Sequence, residues 1–148
     1  MDAESIERDV ADVDNFGAIL DETKLETLKI MSLPVYLVVY IRGHWIGIYI
    51  DESVLEIMDS DGYLATQNVS PAVSSFVCAH ACGKSLVATP RLQTKGGSLC
   101  GLFVVVYFWF RQRASKSLCR FIKGFSQDLN RNEKFIRELY KAGKKSQK

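Results

Sequence analysis

The run LCGLFVVVYFWF, residues 99–110, holds no charged side chain and is ended by Arg111. A membrane helix needs about 18 or more such residues in succession, so this run is too short to span a bilayer. A helix that is apolar on nearly every side must instead be enclosed by the rest of the chain. The pattern predicts that helix over 102–113, entered from the Gly96-Gly97 turn, with Cys100 at its N-terminus. Whatever else this chain folds into has to supply a shell around it. With 148 residues and 47% apolar content there is enough material for one core, so residues 1–148 read as a single domain.

Three β-rich segments begin the shell. VYLVVYI (35–41) is β-branched and aromatic on both faces, which suits a central strand. HWIGIYID (44–51) and SVLEIMDS (53–60) follow after very short connections and therefore pair as antiparallel neighbours. Ser70, Pro71 and Gly83 supply the N-cap, first turn and stop of a helix, and SLVAT (85–89) returns to the sheet. Residues 4–13 read as a short helix. Residues 25–31 form a further helical turn or loop, which Pro34 ends. Two basic amphipathic helices, about 115–127 and 131–142, close the chain. The expected fold class is α+β: an antiparallel-rich mixed sheet packed on a buried central helix that carries Cys100 at its N-terminus.

The net charge of +2 conceals an asymmetry. Up to Met31, nine acidic residues stand against Arg8, Lys24 and Lys29, so 1–31 is an acidic segment. From Lys84 onward, fifteen Lys and Arg stand against Asp128, Glu133 and Glu138. Arg111, Arg113, Lys116, Arg120 and Lys123 follow the apolar helix, and Lys134, Arg137 and Lys141 share a second helical face. Such stripes hold a sequence-independent polyanion such as duplex DNA, or they are a solvated face; both readings stand. Residues 141–148, KAGKKSQK, read as a basic, disordered tail. The polar, acidic N-terminus is no secretory signal, which points to reduced thiols and an intracellular or particle-enclosed protein.

The four cysteines and two histidines bound the chemistry. CAHAC tempts a metal reading, but His80 points away from the face shared by Cys78 and Cys82, and no second ligand pair has zinc spacing. No metal is expected, and the two thiols are read as buried core. His44 opens a strand between Gly43 and Trp45, and the strand that ends in MDSDG brings a carboxylate beside it. A carboxylate on Nδ1–H of the histidine would leave Nε2 as a base. At the start of a buried helix, Cys100 meets free N–H groups and the helix dipole, which favour a thiolate.

Taken together, GHW, then MDSDG, then a glutamine seven residues before CGLF resemble the adenovirus endopeptidase family and the wider group of ubiquitin-like-protein (SUMO) proteases. The Asp-Ser-x-Gly wording of 59–62 is similar to the second group. CGLF and the step from Gln93 to Cys100 are similar to the first. The resemblance covers about residues 35–115. It implies a papain-like arrangement in which Cys100 is the nucleophile, His44 the base, Asp59 its orienting acid with Asp61 as rival, and Gln93 an oxyanion donor. It further implies that Trp45, Gly96 and Gly97 line the substrate cleft.

The implied activity is that of a viral or virus-like cysteine endopeptidase, acting as a monomer on structural precursor proteins in the virion and host cell nucleus, with no membrane partner. No cofactor is needed for the chemistry. A viral activating peptide, disulfide-linked at Cys82, and DNA are the implied stimulators. The alternatives are an isopeptidase that removes ubiquitin-like modifiers, and a catalytically degenerate virion-associated or DNA-binding structural protein.

Overall fold

The computed structural model describes residues 1–64 and 69–147. Along the chain run α1 (Ala3–Asp9), β1 (Phe16–Asp21), α2 (Glu22–Thr27), β2 (Val35–Ile41), β3 (His44–Ile50), β4 (Val54–Met58), α3 (Pro71–His80), β5 (Ser85–Ala88), α4 (Cys100–Arg113), α5 (Leu118–Ile122) and α6 (Leu129–Ser146). The fold is α+β. Its five strands form one mixed sheet in the order β1-β2-β3-β4-β5, antiparallel across β2–β3 and β3–β4 and parallel at both edges.

Local chemistry accounts for the hairpins. The two-residue connection Arg42-Gly43 has positive φ at both positions (51° and 80°), the geometry that matches the twist of the strands it joins. Between β3 and β4, Oδ1 of Asp51 accepts from the backbone N–H groups of Ser53 and Val54 at 2.8 and 2.9 Å, an Asx turn of the kind that fixes a tight reversal. At the start of α3, Ser70 Oγ accepts from Ala72 N–H, and Pro71 occupies the first turn.

Both faces of the sheet are covered, which explains why β2 and β3 alternate so little. On one face Leu37, Val39, Ile46, Ile48 and Ile57 pack with Ala72, Val73 and Phe76 of α3. On the other, Tyr36, Val38, Tyr49 and Met58 pack with Phe103, Val104, Tyr107 and Phe108 of α4. Close approach of α4 depends on Gly47: a Cβ there would lie 2.9 Å from Val104 Cγ1 and 3.0 Å from Phe108 Cε1. Tyr107 and Trp109 of α4 have hydrogen-bond partners. Tyr107 donates to Glu56, which also accepts from Leu118 N–H at 2.9 Å and lies 3.2 Å from Arg111 Nε. Trp109 Nε1 donates to the Asp9 carbonyl at 2.8 Å.

Several expectations need correction. β1 was not anticipated; it is a six-residue edge strand held parallel to β2, a pairing that no local turn signal announces. The helix expected over about 115–127 is only α5, because Ser117 caps it late and the chain turns at Gly124. Residues 141–147 are not a disordered tail. There α6 continues to Ser146, Lys144 Nζ lies 2.7 Å from the fully buried Asp9, Tyr140 donates to the same carboxylate, and Gln147 donates to the Asp9 carbonyl. The acidic 1–31 segment is thus the counter-charge of the basic end. Cys78 and Cys82 are exposed rather than buried, since α3 buries Ala72, Val73 and Phe76 instead. No described helix is long and apolar enough to cross a membrane.

Gly47→Ala is expected to cost about 1–3 kcal/mol through overpacking against Val104 and Phe108, read as a lowered midpoint in urea unfolding. An unchanged midpoint would mean that α4 yields freely at this contact.

Candidate active site

The site lies where the N-terminus of α4 meets the end of the sheet. Cys100 is the first residue of α4, and Leu99 before it makes no side-chain cap, so the N-cap side chain takes none of the first-turn N–H groups. Trp45 N–H, on β3, donates to Cys100 Sγ at 3.4 Å. The His44 side chain, one residue earlier on the strand, interacts electrostatically with the same thiol. Close packing carries on past the thiol: a Cβ on Gly101 would stand 3.0 and 3.1 Å from Met1 Cβ and Sδ. Trp45 Nε1 donates to the Met1 carbonyl at 3.1 Å. Cys100 is only 7% exposed.

Residues 59–62, just beyond β4, supply the acids. Gly62 N–H donates to the Asp59 carbonyl at 2.9 Å and closes the turn. This position requires glycine twice over: its φ is +68°, and a Cβ would lie 2.5 Å from Arg91 N. Asp59 Oδ1 lies 2.7 Å from His44 Nε2. The same carboxylate accepts the N–H groups of Asp61 and Tyr63, both at 3.0 Å. Thr89, after β5, accepts from Asp59 N–H at 2.8 Å and donates back to its carbonyl. Asp59 is therefore held by both its backbone and its side chain before it touches the histidine.

Asp61 reaches the same ring from the other side, with Oδ2 at 3.2 Å from Nδ1. Its Oδ1 accepts from Gln93 Nε2 at 2.9 Å. Gln93 itself is fully buried, and its backbone N–H donates to the Ser60 carbonyl at 3.2 Å, so this one turn also anchors the glutamine. The segment that follows is held by α6: Thr94 donates from its N–H and its hydroxyl to Glu133 Oε1 at 3.3 and 2.7 Å. Gly97 fits there because a Cβ would come within 2.9 Å of the Thr94 carbonyl and 3.0 Å of Glu133 Oε1.

Electrostatics follow from these contacts. Burial alone would depress the His44 imidazolium, but the Asp59 hydrogen bond, the Cys100 thiol and the charges of Asp59 and Asp61 outweigh it, and the group is pushed up to about 10. Burial likewise pushes the Cys100 thiol up. The His44 hydrogen bond, the Trp45 N–H, the His44 charge and the Gly101 N–H reverse this and leave it below its ordinary value. A thiolate–imidazolium pair is the state these groups favour.

Beside His44 opens a cavity of about 360 Å³. Its walls include Asp59, Asp61, Gly96 and Gly97, and its floor is apolar, from Ile46, Ile57 and Val73. The sequence-predicted residues His44, Asp59 and Cys100 thus come together; Gly96 and Gly97 line this cavity, whereas Cys100 and Gln93 are not on its walls. Three details differ. Asp59 takes Nε2 rather than Nδ1, and Nδ1 lies against Asp61 at 3.2 Å. Trp45 is not on the cavity wall; it is buried against Tyr40, with ring centroids 4.7 Å apart, and serves the thiol through its backbone. Gln93 directs its amide to Asp61. The Asp-x-Asp spacing of 59 and 61 was the available signal for the second acid; nothing local marked Thr89 or Glu133.

The remaining candidates scatter. Arg111 is engaged internally, 3.2 Å from Glu56 and over the Tyr49 ring at 4.1 Å. Arg113 pairs with Asp12 at 3.1 Å and lies over Trp109. Arg111 is therefore turned inward from the expected DNA stripe, whereas Arg113 stays exposed beside its carboxylate. Lys116, Arg120 and Lys123 are exposed but do not share one helix, since α5 holds only the middle one. Cys82 is a free, exposed thiol just beyond α3.

Alkylation of Cys100, followed by peptide mass mapping, is expected to have its midpoint below pH 9.0. In His44→Ala the midpoint moves above that value, because burial then acts on the thiol without its main opposing partner. Equal midpoints in the two proteins would contradict the ion pair.

No protein-family model matches the sequence, and no curated protein gives a significant match. Among solved structures, the chain is similar to the central domain of the uncharacterized protein Lpg1148 from Legionella pneumophila. The two share 18% identity at a TM-score of 0.48, over 87% of this chain and 88% of that one.

Proposed function

We propose that the protein is a cysteine endopeptidase. The observation that carries this reading is the meeting of three elements: His44 opens β3 and is held by the buried Asp59 at 2.7 Å, and the next residue on that strand, Trp45, donates its N–H at 3.4 Å to the thiol of Cys100 at the mouth of a buried helix. In this reading the Cys100 thiolate attacks the scissile carbonyl carbon, and the carbonyl π electrons move onto oxygen. The N–H groups at the uncapped start of α4 face that developing charge, and such a donor contributes about 3 kcal/mol. As the C–N bond breaks, His44 gives its proton to the leaving amine; the acyl-enzyme is then hydrolysed by a water whose proton His44 takes. The cavity beside His44 would take one substrate side chain.

Supported by the resemblance of GHW, MDSDG and CGLF, the proposed substrates are structural precursor proteins of a virus or virus-like element, cleaved where particles assemble. The wording of 59–62 supports a second reading, an isopeptidase acting on ubiquitin-like modifiers. The test is incubation with candidate precursors and, separately, with a ubiquitin-like protein aldehyde. Cys100→Ala and His44→Ala are each expected to abolish cleavage with the fold retained by circular dichroism, and Asp59→Asn to lose less than His44→Ala. Wild-type turnover in Cys100→Ala would defeat the assignment. Reaction with the aldehyde alone would favour the isopeptidase.

DNA as a stimulator rests on the exposed Lys116, Arg120 and Lys123 and on Lys134, Arg137 and Lys141 along α6. Duplex binding should be independent of sequence and fall steeply between low and moderate salt. Absence of binding at low salt would remove the stimulator and leave the protease reading intact.

A further inference from the structure

Asp61 has no role in a Cys-His-Asp triad completed by Asp59, yet it is the residue that joins His44 to Gln93. Its Oδ2 is 3.2 Å from His44 Nδ1, and its Oδ1 accepts from Gln93 Nε2 at 2.9 Å. We propose that Asp61 is a positioning residue for the same reaction: one carboxylate that holds the ring of the base on its second nitrogen and fixes which end of the Gln93 amide faces the site. This rests on the protease reading and deepens it.

Two hydrogen-bond arguments carry the proposal. First, both nitrogens of one imidazole lie within 3.2 Å of carboxylate oxygens. A carboxylate only accepts, so a neutral ring would set a lone pair against one of them, and the arrangement selects the imidazolium. Second, Gln93 is 0% exposed and its Oε1 has no hydrogen-bond partner among the described residues. The reversed amide would set that oxygen against Asp61. The Nε2–Asp61 bond therefore decides the orientation even though Oε1 goes unsatisfied. With one amide proton on Asp61, the other is the proton left to meet an oxyanion.

The groups around His44 support this assignment. Asp59 and Asp61 face it from the turn after β4, Cys100 from α4, and the Tyr63 ring stands edge-on at 5.9 Å. Arg91 stands behind Asp61, 3.9 Å from its Oδ1, and Arg42 adjoins the same cavity from the β2–β3 turn.

The isosteric Asp61→Asn variant separates positioning from mere support. Nitrogen-15 NMR of the two histidines, with His80→Gln for assignment, is expected to show His44 protonated on both ring nitrogens through neutral pH in the wild type. The Nδ1 proton should leave at a lower pH in Asp61→Asn, and the Gln93 side-chain amide resonances should shift with it. Kinetically, Asp61→Asn should lower kcat about tenfold or more with little change in KM. Combined with Gln93→Ala, it should lose at least tenfold less than the product of the two single losses. Asp61→Glu should recover part of kcat. Unchanged His44 titration in Asp61→Asn, or additive losses in the double variant, would overturn the proposal. The NMR comparison needs no substrate, so it still judges Asp61 if the wild type cleaves no peptide and the protease reading falls.

Discussion

A helix that is apolar on all sides has to be enclosed, and the rest of this structure depends on how α4 is enclosed. One wall is the sheet, brought close by the missing side chain of Gly47. Helices from both ends of the chain supply the others, and Glu56 and the Asp9 carbonyl take the hydrogen bonds of Tyr107 and Trp109, two polar groups that α4 carries inward. Along its length such a helix has no chemistry to offer. Its N-terminus is different, because the first-turn N–H groups have no intrahelical acceptor. In the proposed reading, reactivity is therefore confined to the residue that opens it, which is Cys100.

What the thiol meets there is decided by one tight turn. Residues 59–62 bring Asp59 to Nε2 of His44, Asp61 to Nδ1, and the Ser60 carbonyl to the backbone of Gln93. The turn exists because Gly62 tolerates a left-handed backbone against Arg91. Asp59 is further pinned by Thr89 and by the N–H groups of Asp61 and Tyr63. In the proposed reaction this fixed frame is what lets a single imidazole hold charge without reorganising, the condition under which buried electrostatics act most strongly.

Opposite charges at the two ends of the chain close the fold. Asp9 and Asp12 of the acidic segment take Lys144 and Arg113 of the basic one, and stacking of Tyr140 on Trp109 covers the joint. Asp9 is fully buried and Lys144 reaches it from a partly exposed position, so the pairing fixes where α6 docks. From that position α6 sends Glu133 to the loop that precedes Cys100. Part of the basic surplus thus serves assembly, and Lys134, Arg137 and Lys141 of α6 stay exposed.

Local patterns determined much of this in advance. Branched and aromatic apolar residues with short connections in 35–60 specify the central strands, the Ser70-Pro71 pair specifies α3, and the run after Leu99 specifies a buried helix with Cys100 at its mouth. Identities at 44, 59 and 100 were enough to nominate a thiol, a base and an acid, since the chemistry of each lies in its own side chain. Only the tertiary structure decided that Asp59 takes Nε2, that Asp61 bridges to Gln93, that Arg111 turns inward, and that the last turn of α6 is docked. Each of these is a choice between partners far apart in sequence, and the β1–β2 pairing is of the same kind. Hydrogen-bond direction and burial settle such choices, and both arise only when the chain has closed around α4.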